Sequence, residues 1–205
     1  MHLAVSGNIG SGKTTLTEKL AKHYGWSAEF EAVDDNPYLP DFYEDMKRWS
    51  FHLQVYFLNS RFNQIKKIQE GTISTIQDRT IYEDAYIFAA NLYKSNLLSE
   101  RDYANYKNLF DSMIAHVKAP DLLIYLKADI PKLVGQIEKR GRTYETAMRI
   151  DYLKNLNSHY EEWIAGYKEG KLLVIDVNNL DFVERASDFS FIVEKIDREI
   201  FGLFA

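Results

Sequence analysis

The chain has 205 residues, of which 25 are basic and 30 acidic, so its formal net charge is -5 at pH 7. This length suits one domain with a core of ordinary size, and we expect residues 1–205 to form a single domain. The acidic balance argues against a partner such as duplex DNA, and the absence of cysteine excludes disulfides, thiolate metal sites and a cysteine nucleophile.

The predicted elements alternate short apolar runs with longer helical patterns. In chain order they are a strand at 2–6, a helix at 14–24, a strand at 27–33, a helix at 49–70, a strand at 72–77, helices at 82–95 and 100–117, a strand at 122–126, helices at 131–140 and 147–167, a strand at 172–175 and a helix at 181–200. Thr80 and Glu83 have the spacing of a capping box, which predicts a helix start near Thr80. Five strands separated by helices predict an α/β fold, a parallel sheet with helices on both faces.

No segment is an apolar run of the roughly 20 residues that a membrane span needs, so we expect no membrane partner. The first predicted strand runs directly into a glycine-rich motif, which leaves no room for a signal or transit peptide. A cysteine-free chain without such a leader is expected in the cytoplasm.

Residues 7–14, GNIGSGKT, fill every fixed position of the phosphate-loop motif G-x-x-x-x-G-K-[ST]. The glycines let backbone N–H groups turn inward around a phosphate, and the N-terminus of the following helix favours the anion. Lys13 is expected to reach the β- and γ-phosphates, and the Thr14 hydroxyl to hold Mg²⁺. A predicted strand before the motif and a helix after it favour a P-loop NTPase-type, three-layer fold over a chance glycine turn. The expected ATP contacts in this segment are Gly7, Asn8, Ile9, Gly10, Ser11, Gly12, Lys13, Thr14 and Thr15.

Three classes of P-loop protein compete for this motif. A GTPase switch carries an N-K-x-D motif, and a motor or transporter ATPase is usually larger or carries a signature such as S-G-G-Q; the sequence contains neither motif. A small-molecule kinase needs an acceptor pocket, a base for the acceptor hydroxyl, and arginines that neutralise the transferring phosphoryl group. The chain offers candidates for all three parts.

Asp78 is the candidate base. It follows the predicted strand at 72–77, and open α/β sheets bind ligands at the carboxyl ends of their strands. A carboxylate there could accept a hydroxyl proton, help to place Mg²⁺, or both. Arg79 beside it could hold phosphate or orient the carboxylate. The alternative is an Asp–Arg surface pair at a turn.

Arg140 and Arg142 are the candidate lid arginines. They flank Gly141 at the end of a predicted helix, where glycine is a common first residue beyond the helix. The polar residues that follow suggest a lid over about 140–149 that closes on phosphates. The alternative is that both arginines only interact favourably with the dipole at the end of the helix.

Gln54 and Arg61 are the candidate pocket residues on the predicted helix at 49–70. Seven residues apart, they share one face at a spacing of roughly 10 Å along the axis, with Phe57 and Leu58 between them. An apolar stripe bracketed by an amide and a guanidinium suits a nucleobase. Two polar residues on a solvated helix face are the commoner explanation of such a pair.

These motifs, in this order, resemble the deoxyribonucleoside kinases, in particular the bacterial deoxyadenosine/deoxyguanosine kinase branch. The resemblance runs from the phosphate loop to about Trp163. It implies a nucleotide-salvage enzyme that transfers phosphate from ATP, with Mg²⁺, to the 5′-hydroxyl of a deoxynucleoside. Deoxyadenosine is the first expectation, and deoxycytidine and deoxyguanosine are the others. It also implies a homodimer, to which the helices at 49–70 and 82–95 would contribute.

The resemblance assigns roles to individual residues. It implies Asp78 as general base, where animal members have Glu, and Lys13 and Arg79 as further catalytic groups. Gln136 stands where animal members have another phosphate-binding arginine. The implied metal site consists of Thr14, Asp78 and Glu31, and the lid arginines Arg140 and Arg142 would contact ATP.

The implied substrate site combines sugar and base contacts. Glu31 matches the glutamate of a Glu-Pro-Val motif near the 5′-hydroxyl, although Ala32 replaces the proline and the following loop is shorter than in animal members. Tyr43 and Glu145 match residues that hold the 3′-hydroxyl, and Gln54 matches the glutamine that pairs with the base. The full implied set is Glu31, Tyr43, Gln54, Arg61, Arg79, Asp84 and Glu145.

Two other functions stay open at this point. A thymidylate kinase also combines a phosphate loop with an Asp-Arg pair after a strand, but it needs cations for the acceptor phosphate, whereas the acceptor side here carries Glu31 and Glu145. A non-catalytic nucleotide-binding regulator would bind ATP without needing acceptor and lid residues together.

Aromatic residues are unusually frequent, with 14 Tyr, 12 Phe and 3 Trp. About half of them fall within 38–62 and 82–110, the segments assigned to the nucleoside pocket and the subunit contact. We therefore expect some aromatic side chains to wall a slot for a planar base and others to pack against a second subunit.

Overall fold

The computed structural model describes residues 1–31, 36–142 and 149–202. Five strands form one sheet in the order β2-β3-β1-β4-β5, and every neighbouring pair is parallel. This confirms the predicted five-stranded parallel sheet. The strands are β1 (His2–Gly7), β2 (Ser27–Glu29), β3 (Thr75–Asp78), β4 (Leu122–Lys127) and β5 (Lys171–Asp176).

Helices follow the strands on both faces of the sheet. They are α1 (Lys13–Tyr24), α2 (Leu39–Glu44), α3 (Met46–Glu70), α4 (Ile81–Glu83), a π-helical turn (Asp84–Ala89) that runs on into α5 (Ala90–Lys94), α6 (Glu100–Ile114), α7 (Ile130–Arg140), α8 (Ile150–Ala165) and α9 (Ala186–Ile200). Within the described ranges, no helix has both the length and the apolar character to cross a bilayer.

Alternate residues of the central strands pack against the two helical layers. Val5 of β1 and Ile124 of β4 belong to the main core, which also contains Leu16 of α1 and Ile192 of α9. Tyr125 points to the opposite face, where it packs with Leu156 of α8. Because strands in a parallel sheet present alternate side chains to opposite faces, both faces are buried, as the continuous apolar run at 122–126 predicted.

Several element boundaries differ from the predicted ones. Helix α3 begins at Met46, three residues before the predicted start, because the Asp45 side chain accepts a hydrogen bond from the Arg48 N–H at 3.1 Å and caps the helix. The short helix α2 was not predicted at all. Helix α9 begins at Ala186 and not at 181, because the Asp181 carboxylate accepts backbone N–H groups of the next residues and holds a turn there.

The segment between β2 and α2 matters most for the site. The prediction extended its strand to 33, but β2 ends at Glu29. Glu31 therefore lies beyond the carboxyl end of β2, where its side chain is free to turn toward the neighbouring strand ends. The order of the sheet places the ends of β2, β3 and β1 side by side, and the candidate site is built at this edge.

Candidate active site

A cavity of about 350 Å³ lies at the carboxyl ends of the strands. Its walls come from the phosphate loop, the end of β3, helices α2 and α3, the π-helical turn and the start of α8. Among the lining residues are ten that the sequence predicted, namely Lys13, Thr14, Glu31, Tyr43, Gln54, Asp78, Arg79, Asp84, Arg140 and Arg142, together with Ile9 of the phosphate loop. Glu145 lies outside the described residues.

The phosphate loop wraps closely around the start of α1. Gly10 and Gly12 have positive φ angles of 86° and 92°, which favour glycine. A Cβ atom would lie 2.6 Å from the Leu133 carbonyl oxygen at Gly10, and 2.8 Å from Cζ of Phe182 at Gly12. Both glycines are therefore needed for conformation and for space, and the loop keeps the shape that cradles a phosphate.

Lys13 lies buried inside this loop. Its Nζ donates to the Asn8 carbonyl oxygen at 3.0 Å. Burial, and then the nearby charge of Arg79, lower the Lys13 pKa to about 8. The negative charge of an incoming phosphate would stabilise the protonated form of the Lys13 side chain.

Asn8, a variable position of the motif, anchors the loop to α8. Its Nδ2 donates to the Leu153 carbonyl oxygen and to Asn157 Oδ1, each at 3.1 Å, and its Oδ1 accepts from the Ile9 N–H at 2.8 Å. The side chain thus points away from the cavity. Asn8 can offer ATP only its backbone.

Thr14 and Asp78 meet at the centre of the site. The Thr14 hydroxyl donates to Asp78 Oδ2 at 2.5 Å, and Asp78 Oδ1 is buried with no hydrogen-bond partner among the described residues. No group of three or more His, Asp or Glu side chains in the described segments could hold a metal by itself. Mg²⁺, however, is usually bound through one or two carboxylates together with substrate phosphates. The unpartnered oxygen of Asp78 beside Thr14 fits that pattern.

Glu31 is held by two guanidinium groups. Its Oε1 lies 3.3 Å from Arg61 Nη2 and 3.4 Å from Arg79 Nε. Burial favours a raised pKa, but the charges of Arg79 and Arg61 outweigh it and hold the pKa of Glu31 below its usual value. Glu31 is therefore a carboxylate at neutral pH.

Arg79 adopts a left-handed backbone conformation with φ of 70°, which is uncommon for a residue other than glycine. Its N–H donates to the Val5 carbonyl oxygen at 2.9 Å, and its guanidinium lies 4.3 Å from the ring centroid of Phe88. The sheet and the aromatic ring thus hold a turn that would otherwise be strained. This turn directs Asp78 to the phosphate loop and Arg79 to Glu31.

Arg61 lies behind the cavity wall and does not line the cavity in the described structure. It is only 3% exposed, and it donates to the Asp78 carbonyl oxygen at 2.9 Å and to Gln64 Oε1 at 3.2 Å. Its Nε lies 3.5 Å from Asp84 Oδ2. The sequence predicted that Arg61 brackets a nucleobase together with Gln54, but the structure places its guanidinium where it braces Glu31, Asp78 and Asp84.

Asp84 borders the cavity beside this cluster. Burial raises its pKa to about 7, although Arg61 opposes the shift. Gln54 lines the cavity from α3 and is 3% exposed, and its Oε1 is buried without a partner in the described chain. An unpaired buried amide oxygen is costly unless a ligand satisfies it.

Several lining residues were not predicted as site residues. Phe30, Phe42 and Phe88 contribute aromatic surface, and Tyr152 contributes a phenol from α8. The high aromatic content of 38–62 was a signal for Phe42, whereas Tyr152 had none because it follows a segment that was predicted only as a lid. Leu39, Leu53, Phe57 and Glu18 complete this part of the wall.

The fold has three layers, and its phosphate loop adjoins a cavity lined by carboxylates and arginines. These features define a P-loop phosphotransferase. Comparisons with known proteins narrow this class. The family model for deoxynucleoside kinase matches residues 3–201. The chain is 40% identical to the deoxyadenosine/deoxycytidine kinase of Bacillus subtilis over 196 residues, covering 95% of this chain and 90% of that protein. It is 37% identical to the deoxyguanosine kinase of Lactobacillus acidophilus over 203 residues, covering 95% and 88%.

A solved structure agrees with this assignment. The deoxyadenosine kinase from M. mycoides, with the products dCMP and a flexible dCDP bound, matches with a TM-score of 0.86 at 30% identity, over 96% of this chain and 99% of that one. The chain belongs to the deoxynucleoside kinase family, so the resemblance inferred from the sequence is confirmed. The protein is thus a phosphotransferase with deoxynucleoside kinase activity.

Proposed function

We propose that this kinase transfers the γ-phosphate of ATP to the 5′-hydroxyl of deoxyadenosine in preference to other deoxynucleosides, in nucleotide salvage. The observation that supports a base with an exocyclic amino group is the buried amide of Gln54, whose Oε1 lacks a partner at the cavity wall. The preference for deoxyadenosine over deoxycytidine is supported by the similarity to deoxyadenosine kinases. An amide can accept from an exocyclic amino group and donate to the adjacent ring nitrogen. Adenine offers that pair of groups, and so does cytosine, whereas guanine requires the amide to be turned over. Deoxycytidine and deoxyguanosine are therefore proposed as secondary substrates.

The sugar would lie between Gln54 and the phosphate loop. Tyr43 lines the cavity and is proposed to bind the 3′-hydroxyl, together with Glu145. Phe88 and Tyr152 are bulky neighbours of the same cavity. We propose that their packing leaves no room for a 2′-hydroxyl, which would make adenosine a poor substrate.

Charge at the reacting phosphate would be neutralised from several sides. Thr14 and Asp78 are proposed to hold Mg²⁺, which would supply Lewis-acid stabilisation of the negative charge on the phosphates of ATP. Lys13, Arg140 and Arg142 all line the cavity and are proposed to contact the transferring phosphoryl group. The ion would thus complete a site to which this chain supplies a hydroxyl and a carboxylate.

Two carboxylates can accept the proton of the 5′-hydroxyl. The sequence assigned this role to Asp78, but Asp78 Oδ2 is already engaged by Thr14, and the residue is only 3% exposed. The side chain of Glu31 is 22% exposed and lines the same cavity. We therefore propose that Asp78 serves the metal and that Glu31 takes the proton, with Arg79 holding Glu31 in place.

A nucleoside monophosphate acceptor, as in a thymidylate kinase, is disfavoured by the carboxylates that border the acceptor cavity. Glu31 and Asp84 both border the acceptor cavity, and an acceptor phosphate beside Glu31 would be repelled.

A substrate panel tests the proposal. The four deoxynucleosides, adenosine and thymidine monophosphate would each be offered with ATP and Mg²⁺, and acceptor-dependent ADP release would be measured. We expect the highest kcat/KM for deoxyadenosine and at least about a hundredfold lower value for adenosine, since a clash in a packed pocket costs a few kcal/mol. Highest activity with deoxyguanosine would overturn the proposed base preference, and turnover of thymidine monophosphate alone would overturn the proposed acceptor.

We also propose a homodimer. Helices α3 and α6 pack against each other and carry half-buried apolar side chains, including Phe51, Phe62 and Tyr103. The helix expected at 82–95 is largely buried in the monomer, which leaves α6 as the partner of α3 in the contact. Leu109 of α6 is 37% exposed. Leu109→Glu should shift the protein from dimer to monomer in light scattering, and an unchanged mass would contradict this surface.

A further inference from the structure

Glu83 is a fully buried carboxylate that the reaction as described above does not use. It is 0% exposed, and its two oxygens accept hydrogen bonds from three parts of the chain. Oε2 accepts from the Thr80 N–H at 2.7 Å and from the Thr80 hydroxyl at 3.2 Å. Oε1 accepts from the Tyr160 hydroxyl at 2.8 Å and from the Gly7 N–H at 3.5 Å.

A helix cap explains only half of this arrangement. The hydrogen bond from the Thr80 N–H to Oε2 is one half of the capping box that the sequence predicted, and the Thr80 side chain accepts from the Glu83 N–H in the other half. The other oxygen is turned away from the helix end, toward the first glycine of the phosphate loop and toward α8. A cap needs no such second set of donors. Caps are ordinarily formed at the surface, where the charged group stays in contact with water.

The donors of Glu83 lie on both sides of the reacting groups. Gly7 begins the phosphate loop that carries Lys13 and Thr14. Thr80 directly follows Asp78 and Arg79. The Glu83 carboxylate thus bridges the phosphate loop and the turn that follows β3. The separation of these two segments determines the distance between Asp78 and Thr14.

The turn between β3 and α4 needs such a support. Arg79 has a positive φ of 70°, and a residue other than glycine keeps this conformation only where its surroundings enforce it. The Val5 carbonyl oxygen holds the Arg79 N–H, and Glu83 holds the next N–H of the chain, that of Thr80. Both backbone donors of the turn are therefore fixed.

We propose that Glu83 is a positioning residue, which sets the distance between the phosphate loop and the Asp78–Arg79 turn, with Tyr160 fixing its orientation from α8. The proposal rests on the roles given to Asp78 and Arg79 under the proposed function. Charge-assisted hydrogen bonds to carboxylates are strong and directional. Those from the Thr80 N–H and the Tyr160 hydroxyl, at 2.7 and 2.8 Å, hold the Glu83 side chain, and the longer contact from the Gly7 N–H, at 3.5 Å, connects it to the phosphate loop. Small displacements of reacting groups cost large factors in rate.

The test compares kcat, KM and Tm for Glu83→Gln, Tyr160→Phe and a matched control. Glutamine keeps the shape of the side chain but has one acceptor oxygen in place of two, so its NH₂ must face the donors of either Thr80 or Gly7 and Tyr160. We expect kcat to fall by at least about tenfold, while KM for the deoxynucleoside changes less than about threefold because the α3 wall is untouched. Tyr160→Phe leaves the cap intact and should lower kcat by about threefold, with little further effect in the Glu83→Gln background.

The control is Ser99→Ala, which removes the cap of α6. Ser99 Oγ accepts from the Asp102 N–H at 3.1 Å, and Ser99 does not line the cavity. This variant should lower Tm and leave kcat within about twofold of the parent. If Glu83 were only a cap, Glu83→Gln would behave in the same way, and that result would overturn the proposal. Should Glu83→Gln not fold, an unchanged kcat in Tyr160→Phe would overturn it as well.

Asp78→Asn, measured alongside, distinguishes failure of the positioning role of Glu83 from failure of the proposed role of Asp78. If Asp78→Asn is inactive while Glu83→Gln is normal, only the positioning role fails. Near-normal turnover by Asp78→Asn would instead refute the role given to Asp78, on which the positioning role depends.

Discussion

The Thr14 hydroxyl donates to Asp78 Oδ2 at 2.5 Å, although 64 residues separate the two positions in the chain. Parallel pairing of β1 with β3, in which Val5 is the register partner of Asp78, brings the phosphate loop and the Asp-Arg turn to one edge of the sheet. The contact joins the two groups proposed to hold Mg²⁺.

Thr14→Val should reduce kcat by about a hundredfold or more, because it removes a proposed metal ligand without changing the shape of the side chain. The measurement is the rate as a function of Mg²⁺ concentration, with a shift of the half-saturating concentration expected. Thr17→Val is the control, because the buried Thr17 hydroxyl on the same helix has no hydrogen-bond partner in the described ranges. Equal Mg²⁺ dependence in both variants would contradict the assignment of Thr14.

Glu31→Gln and Asp78→Asn should both lower kcat by about a thousandfold, but for different reasons. If Glu31 accepts the proton, Glu31→Gln loses the acidic limb of the pH–rate profile and keeps its Mg²⁺ requirement. Asp78→Asn should keep that limb and need more Mg²⁺. The reverse pattern would return the role of base to Asp78.

ATP binding should take up protons near pH 8. Burial lowers the pKa of Lys13 to about 8 in the free protein, and bound phosphates favour the charged ammonium, so the pKa rises when ATP binds. Proton uptake should therefore grow as the pH rises from about 7 to about 9, and ATP affinity should fall by up to about tenfold per pH unit above the free pKa.

Calorimetry in two buffers with different heats of ionisation measures this uptake. Lys13→Met should abolish it. Lys19→Met should preserve it, because Lys19 lies further along α1 with its Nζ 3.4 Å from the Val183 carbonyl oxygen. Binding enthalpies that are independent of the buffer would disprove the lowered pKa.

Asp84 should make the protein less stable as the pH rises from about 4 to about 7. Burial raises its native pKa to about 7, so the folded state binds more protons than the unfolded state within this window. Below the window both states are protonated, and above it the folded state must bury a charge. Each unit of pKa difference corresponds to about 1.4 kcal/mol.

The measurement is the free energy of unfolding of Asp84→Asn relative to the parent, at about pH 5 and about pH 8. Since asparagine does not titrate, the variant should gain relative stability at the higher pH. Asp111→Asn removes a carboxylate whose side chain is 62% exposed, and it serves as the control for the change in net charge. A difference for Asp84→Asn that does not change with pH would show that Arg61 keeps Asp84 charged throughout.

Local sequence patterns were sufficient to predict the phosphate loop, several strands and one helix cap of this protein. The motif at 7–14 predicted a phosphate loop because the fixed spacing of glycines, lysine and threonine is itself the binding structure. Apolar runs at 2–6 and 122–126 predicted buried strands, since a strand covered on both faces needs apolar residues at consecutive positions. The Thr80–Glu83 spacing predicted a cap, because both groups lie within one turn of helix.

Only the tertiary structure decided how the side chains share the site. Arg61 and Gln54 looked equivalent on one helix face, yet Arg61 turns behind the wall to Glu31, Asp78 and Asp84, while Gln54 lines the cavity. The early end of β2, the entry of Tyr152 from α8 and the second set of donors on Glu83 had no local signal either. Each depends on contacts between segments far apart in sequence, where burial and charge pairing, and not periodicity, determine which way a side chain points. The sequence alone determined the phosphate loop and the class of fold, whereas packing at the strand ends decided which residues face the substrate and which support them.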